Sequence, residues 1–298
     1  SLPATGVLRT TWSSGTVSEN FSRTRPSSRS TSARAASASS RLRPASSGTG
    51  YSSTPRLSTI VTSSPVRARL PAPGSALVGA APETVATLRD GVFHATAVAG
   101  SIRRGATPRE QAELATQLLA SEKDRVEQRI TLDDMIARLE TVGHQVRADP
   151  QPHVLTLARI LHLETEIRAS VPAGIGVLDL LRLLHPTPAV CGLPRDAAMA
   201  LLAKEETFDR GWYSGPVGWF DAEGNGIFAP ALRTGVSAGS GWRLFAGAGI
   251  VEGSVPALEW DETAIKFEPM LRALEASGAE LLDGKGAEPA EVFGTGHE

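Results

Sequence analysis

The sequence contains almost no cysteine. Cys191 is the only one in 298 residues, so an intrachain disulfide cannot form, and a reducing compartment, with the cytoplasm as the default, is expected. A surplus of charge is missing as well. With 30 basic and 32 acidic residues the formal net charge is -2, which gives no general attraction to polyanions or anionic lipid and argues against nucleic acid and membrane as partners. No apolar run approaches the roughly 20 residues that cross a bilayer, and the N-terminus has no short apolar block of the secretory kind. Hydrophobic residues make up 41% of the chain, an ordinary share for a globular protein. The length allows one large domain or two small ones.

Acidic residues are scarce in one stretch only. Up to Gly74, Glu19 is the single acid, and Ser, Thr, Arg, Pro and Ala dominate, as in Ser27-Ser28-Arg29-Ser30-Thr31-Ser32. No helical or strand period survives there. Three origins fit this composition. It could be a solvated, disordered tail, because so few large apolar side chains cannot offset the entropy of ordering. It could be an Arg- and Ser-rich transit segment, or an out-of-frame translation of a GC-rich gene. Residues 1–75 are therefore set apart as a low-complexity segment from 76–276, which is expected to form the catalytic domain, and from a C-terminal tail, 277–298.

From residue 76 the signals become regular. Residues 76–79 read as a strand entering a turn at Ala81, Pro82 and Glu83, and 92–98 alternate as a second strand, which together predict a hairpin. Thr107, Pro108 and Glu110 open a helix as a capping box with proline at the first helical position. Leu114, Leu118, Val126, Ile130, Ile136 and Leu139 continue it as one long amphipathic helix broken near Thr131. Residues 154–167 read as a strand, and 178–184 and 194–204 as short helices, the first stopped by Pro186 and Pro188. Strands at 215–220, 227–234 and 242–246 predict an antiparallel meander, and Ser254 is placed as the cap of a last helix. Helices and antiparallel strands in separate runs point to an α+β fold.

Two acidic pairs, Asp124/Glu127 and Glu259/Glu262, each lie three residues apart and so share one helical face. Facing each other they would form an oxygen cage of the kind hard cations prefer. Taken singly, acidic pairs at this spacing are most often solvated surface. Lys266, one turn after Glu262, suits a surface ion pair or a cation aimed at a bound carboxylate. The glycines in Phe245-Ala246-Gly247-Ala248-Gly249 fit either close strand packing or close approach of backbone to an anion. Tyr213 and Arg233 are carboxylate ligands or exposed strand residues. His162, in an alternating strand, is a ligand-lining residue or a satisfied core histidine.

The blocks acquire meaning from their order. Val78-Gly79-Ala80-Ala81-Pro82-Glu83, Ala99-Gly100-Ser101 and Leu119-Ala120-Ser121-Glu122-Lys123-Asp124-Arg125 are followed by Leu184-His185-Pro186-Thr187-Pro188-Ala189-Val190-Cys191-Gly192. Then come Arg210-Gly211-Trp212-Tyr213-Ser214-Gly215-Pro216-Val217-Gly218-Trp219, Phe245-Ala246-Gly247-Ala248-Gly249-Ile250-Val251, and Glu259-Trp260-Asp261-Glu262-Thr263 with Lys266. Over about two-thirds of the chain this series resembles the chorismate-utilising enzymes, and ordered blocks are far more specific than any one motif. The run His185-Pro186-Thr187-Pro188-Ala189-Val190 is similar to the isochorismate synthases within that family. Salicylate synthases typically carry threonine where Ala189 stands, and anthranilate synthases differ more widely.

The resemblance implies a chorismate-binding enzyme fold of large antiparallel sheets flanked by helices, with its N-terminal part incomplete. It implies Mg2+ as cofactor, chorismate as substrate, a monomer, and isomerisation to isochorismate by addition of water at C2 and loss of the C4 hydroxyl. Glu127 and Glu262 would hold the ion directly, with Asp124 and Glu259 acting through water. Glu83 would be the general acid. Gly100, His162 and Ala189 would line the ring, Tyr213 and Arg233 would grip the enolpyruvyl carboxylate, and Lys266 and the Gly247 backbone would assist. Siderophore and menaquinone synthesis are the pathways such a product serves. A salicylate synthase and a non-catalytic chorismate-binding remnant remain as alternatives. Three positions depart from the family pattern. The strand expected to carry a water-activating lysine falls in the Ser/Arg-rich segment, and the first lysine of the chain is Lys123. Gln128 replaces a histidine, and Ile227 replaces an acid.

Overall fold

The computed structural model describes the backbone of residues 9–18, 64–69, 76–206, 208–238 and 241–277. Two antiparallel sheets, flanked by helices, make up these residues. The five-stranded sheet runs in the order β1 (Arg9–Ser18), β12 (Gly241–Ile250), β11 (Thr234–Ala238), β3 (Ala76–Ala81), β2 (Ser64–Arg69). The second sheet runs β6 (His144–Ala148), β8 (Ile160–Ser170), β5 (Val92–Arg103), β4 (Ala86–Arg89), β10 (Gly226–Pro230), β9 (Pro216–Phe220), and β7 (His153–Thr156) pairs with β8. The helices are α1 (Pro108–Ala120), α2 (Glu122–Leu139), α3 (Val177–Leu184), α4 (Pro188–Cys191), α5 (Arg195–Glu205) and α6 (Pro256–Ala276).

The main core forms where α2 and α3 cover the larger sheet. Phe93, Ala95 and Ala97 alternate on one face of β5, and Ile167 and Ala169 do so on β8. Met135 and Leu139 of α2 and Leu180 and Leu184 of α3 meet them, all fully buried. Small alanines on β5 let the helices approach, and each fully buried leucine or methionine contributes about 1.5–3 kcal/mol. A second cluster, with Leu77, Tyr213, Val236 and Phe245, lies against the five-stranded sheet.

Several expected elements divide differently. The long helix breaks at Ser121, not near Thr131. Ser121 ends α1 and its hydroxyl accepts from Asp124 N at 3.3 Å to start α2, while Thr131 lies buried inside α2. Strands 76–81 and 92–103 are not a hairpin: β3 joins the five-stranded sheet and β5 pairs with the short strand β4. The segment 154–167 is two strands, β7 and β8, joined by a tight turn in which Leu157 N donates to Ile160 O. The supposed meander is two hairpins in two sheets, β9–β10 and β11–β12, because the chain changes sheet between Pro230 and Thr234. Val255, not Ser254, precedes α6, and the Ser254 hydroxyl accepts from Val251 N instead. Of the segment 1–75, residues 9–18 and 64–69 form strands although no period marks them. The expectation for 1–8, 19–63 and 70–75, and for a tail at 278–298, lies outside the described residues.

Candidate active site

One pocket collects residues from both sheets. Glu83, Gly100, Glu127, His162, Ala189, Tyr213, Arg233, Gly247 and Lys266 all line it. Asp124, Glu259 and Glu262 do not line it and gather beside it around the ammonium of Lys123. The Lys123 Nζ stands 3.0 Å from Glu259 Oε1, 3.4 Å from Glu127 Oε2, 3.8 Å from Asp124 Oδ1 and 3.9 Å from Glu262 Oε2. Helices α2 and α6, far apart in sequence, thus bring both acidic pairs to one point.

Glycine makes this convergence possible. A Cβ on Gly249 of β12 would lie 2.1 Å from Glu127 Oε1, and one on Gly100 would lie 2.8 Å from the Asp124 Cβ. Gly100 also sits at a positive φ of 71° within a β-bulge of β5, where the register against β8 shifts, a conformation that suits glycine. Burial, and then the Glu262 carboxylate beside it, push the Glu127 pKa up, against the pull of Lys123 and Lys266. For Lys123 burial opposes the charge, but Glu127, Glu262 and Glu259 outweigh it and hold the ammonium above its ordinary range. Lys266 is pinned more tightly, donating to Glu262 Oε1 at 2.6 Å and to Gly247 O at 2.9 Å.

No group of three His, Cys, Asp or Glu side chains among the described residues stands in ligating geometry. The donor set nevertheless suits a hard cation. It is all carboxylate, it already surrounds one positive charge, and Glu259 Oε2 is buried without a hydrogen-bond partner. A divalent ion of the Mg2+ type is the cation that oxygen-only ligands favour.

A second group of side chains brings a positive charge to the pocket wall. His162 Nδ1 lies 2.9 Å from Gly100 O and 3.0 Å from Ser101 Oγ. A carbonyl only accepts, so Nδ1 carries the proton and Nε2 is left with a lone pair. That lone pair accepts from Arg233 Nη2. Burial, then the charges of Arg233 and Lys266, hold the His162 pKa well below its usual range, so the ring is neutral. Burial lowers Arg233 to about 10, and it stays charged at neutral pH. Tyr213 is buried and stacks on Phe245 with ring centroids 5.1 Å apart.

Glu83 occupies the β3–β4 turn, which Thr96 secures: Thr84 N donates to Thr96 Oγ1 at 3.1 Å and Thr96 N to Thr84 O at 3.0 Å. Glu83 is 3% exposed, and its Oε1 has no hydrogen-bond partner. Burial first, then the Glu164 charge, raise its pKa to about 8, against Lys266. A carboxyl group that keeps its proton at neutral pH is suited to donate it.

A family model described as chorismate binding enzyme matches residues 65–275. The chain belongs to the chorismate-binding enzymes. It is 43% identical over 201 residues to the salicylate biosynthesis isochorismate synthase of Pseudomonas aeruginosa, a match covering 67% of this chain and 42% of that protein. To isochorismate synthase MenF of Bacillus subtilis it is 37% identical over 201 residues, covering 67% and 43%. A solved structure from Bacillus anthracis, described as the 2,3-dihydroxybenzoate-specific isochorismate synthase DhbC, superposes with a TM-score of 0.68 at 34% identity, over 71% of this chain and 57% of that one. The chain therefore spans less than half the length of the two curated relatives.

Against this chorismate-binding frame, two of the departures find local explanations. Gln128, where the family pattern has histidine, is buried and donates from Nε2 to Thr165 Oγ1 at 2.7 Å, tying α2 to β8. Ile227 lies half-buried in β10, opposite Trp219 of β9. Sequence reasoning assigned no role to Lys123, Ser101 or Glu164. Lys123 had a signal, since it precedes Glu127 by one helical turn. The other two depend on pairing across β5 and β8, which local pattern does not carry.

Proposed function

We propose that this chain carries the chorismate site of an isochorismate synthase, a Mg2+-dependent enzyme that adds water at C2 of chorismate and removes the C4 hydroxyl. The observation that carries the reading is the meeting, in one pocket region, of four carboxylates, a charged and oriented arginine, and a carboxylic acid that holds its proton at neutral pH. The names of the relatives agree with it.

Arg233 binds the enolpyruvyl carboxylate, since a planar guanidinium matches a planar carboxylate. His162 is a positioning residue: its neutral Nε2 fixes the arginine without adding charge. Tyr213 completes that end. Glu83 gives its proton to the departing C4 hydroxyl and is left as a carboxylate until it is reprotonated. Ala189 leaves room beside the ring and adds no polar group there. Glu127 and Glu262, assisted by Asp124 and Glu259, would hold the divalent ion, which would supply positive charge to offset the ring carboxylate in an acidic surrounding. Lys266 and the Gly247 carbonyl keep Glu262 in place.

The attacking water must give up a proton, and Lys123, the first lysine of the sequence, faces the acids and is not placed to take it. That orientation of Lys123 favours a second reading, chorismate binding without turnover. No helix among the described residues is long and apolar enough to cross a membrane, and we place the protein in the cytoplasm as a monomer. Menaquinone synthesis, which the name of one solved relative specifies, and siderophore synthesis are the pathways to consider. Incubation with chorismate and Mg2+, followed by chromatography, tests the proposal. Isochorismate as first product supports it, salicylate as first product reassigns it to a salicylate synthase, and binding without turnover supports the second reading. Failure to bind chorismate overturns it.

A further inference from the structure

The two lysines at the acidic cluster are held differently. Lys266 is fixed by a backbone carbonyl and by one short carboxylate bond. The Lys123 ammonium contacts carboxylates only among the described residues, at 3.0 to 3.9 Å, spread over all four acids. Its side chain is 23% exposed, whereas those of Glu259, Glu127, Glu262 and Asp124 are 5%, 7%, 10% and 14% exposed. Lys123 is therefore a cation seated at the focus of the cluster, on a flexible four-carbon stem, with a path to solvent.

We propose that Lys123 is a built-in placeholder for the divalent cation: it neutralises the acids in the metal-free protein and must leave their centre when the metal binds. This rests on the reading that these four acids bind Mg2+. The reason is electrostatic. Carboxylates this close, removed from bulk water, repel one another strongly unless a positive charge stands among them. An ammonium at the common focus supplies that charge, and a divalent ion bound by the same oxygens cannot share the space. Binding the metal then includes breaking the Lys123 contacts, which weakens its apparent affinity in the absence of substrate. A dianionic substrate, bringing its own demand for positive charge, tips the exchange towards the metal. The consequence is that cation and substrate load together, and the free protein binds the ion more weakly than the chorismate complex does.

The test is a calorimetric titration of Mg2+ into the full chain, stripped with chelator and without chorismate, for wild type, K123M, K123Q and K123R. The uncharged variants should bind Mg2+ about tenfold tighter or more, because a competing charge some 4 Å away has been removed. K123R retains the charge and should stay within about threefold of wild type. If an uncharged variant is less stable without metal, its melting temperature should rise more on adding Mg2+ than that of wild type, which reports the same linkage. Equal or weaker binding by K123M and K123Q, with wild type binding normally, overturns the placeholder and leaves the metal site standing. Absence of Mg2+ binding in all four proteins, with or without chorismate, overturns the assignment of the acids itself and the placeholder with it.

Discussion

The two ends of helix α2 are equally shielded from water and held by opposite means. Met135 and Leu139 are fully buried among Phe93, Ile167 and Leu180, whereas Glu127 and Gln128, two turns earlier, are 5% and 2% exposed among charges and a single amide hydrogen bond. The apolar end stabilises by burial, which any well-packed side chains could supply. The acidic end costs stability, since it gathers carboxylates where solvent cannot screen them. The contrast teaches that the core grips one end of a helix so that the other can carry charge that no folding requirement explains.

That division is open to attack from both sides. The largest effect is expected at the acidic end: Glu262→Ala should abolish Mg2+-dependent chorismate binding in calorimetry while the protein stays folded, with some loss of stability because Lys266 loses its carboxylate partner. Unchanged affinity would remove the acids from the site. At the apolar end the pattern should invert. Phe93→Ala should lower unfolding free energy by about 3–5 kcal/mol in denaturant titrations and leave the metal affinity of the folded protein as it was. A change in affinity there would show that the two ends are not separable.

Gly249→Ala is a finer cut. Its new methyl would meet the Glu127 carboxylate head-on, and β12 is held on both sides by β1 and β11, so the glutamate must move. Mg2+ affinity should fall about tenfold, with a stability change of only about 1 kcal/mol. An unaltered affinity would mean that Glu127 has freedom its packing denies.

The smallest effect is a pH profile. Glu83 must be protonated to act and its pKa is raised to about 8, so turnover should be level at neutral pH and fall tenfold per unit above about 8. The same shift means that the folded protein holds a proton the unfolded one releases. The stability Glu83 confers is whole below the ordinary carboxylate range and is lost as pH rises towards 8. His162, held neutral, should add no limb near its usual range. A break in turnover there would contradict its assignment as an acceptor for Arg233.

Local signals in the sequence were reliable where the cause is local. The Thr107 cap, whose hydroxyl accepts from Glu110 N at 3.2 Å, the strand at 92–98 and the short helix α3 all stand where they were read, although β5 is buried on both faces from Ala95 to Gly100. What failed was partnership. Whether 76–81 pairs with 92–103 or 227–234 with 242–246 is decided by which sheet each strand joins, and no side-chain period records that. The break at Ser121 was available as a serine followed three residues later by Asp124, but the continuing apolar period hid it. The residues proposed for the site were singled out only through the ordered family blocks; taken alone, Asp124/Glu127 and Glu259/Glu262 are two acidic helix faces. Their convergence is a property of two helices brought together by β12 and the pocket wall, and so belongs to the fold.

The central claim is that α2 and α6 hold one divalent ion jointly. Binding of Mn2+, followed by electron paramagnetic resonance in wild type, Glu127→Ala and Glu262→Ala, tests it most directly. One ion per chain, lost in either variant alone, is the predicted result. Full retention of that ion in either variant would contradict it.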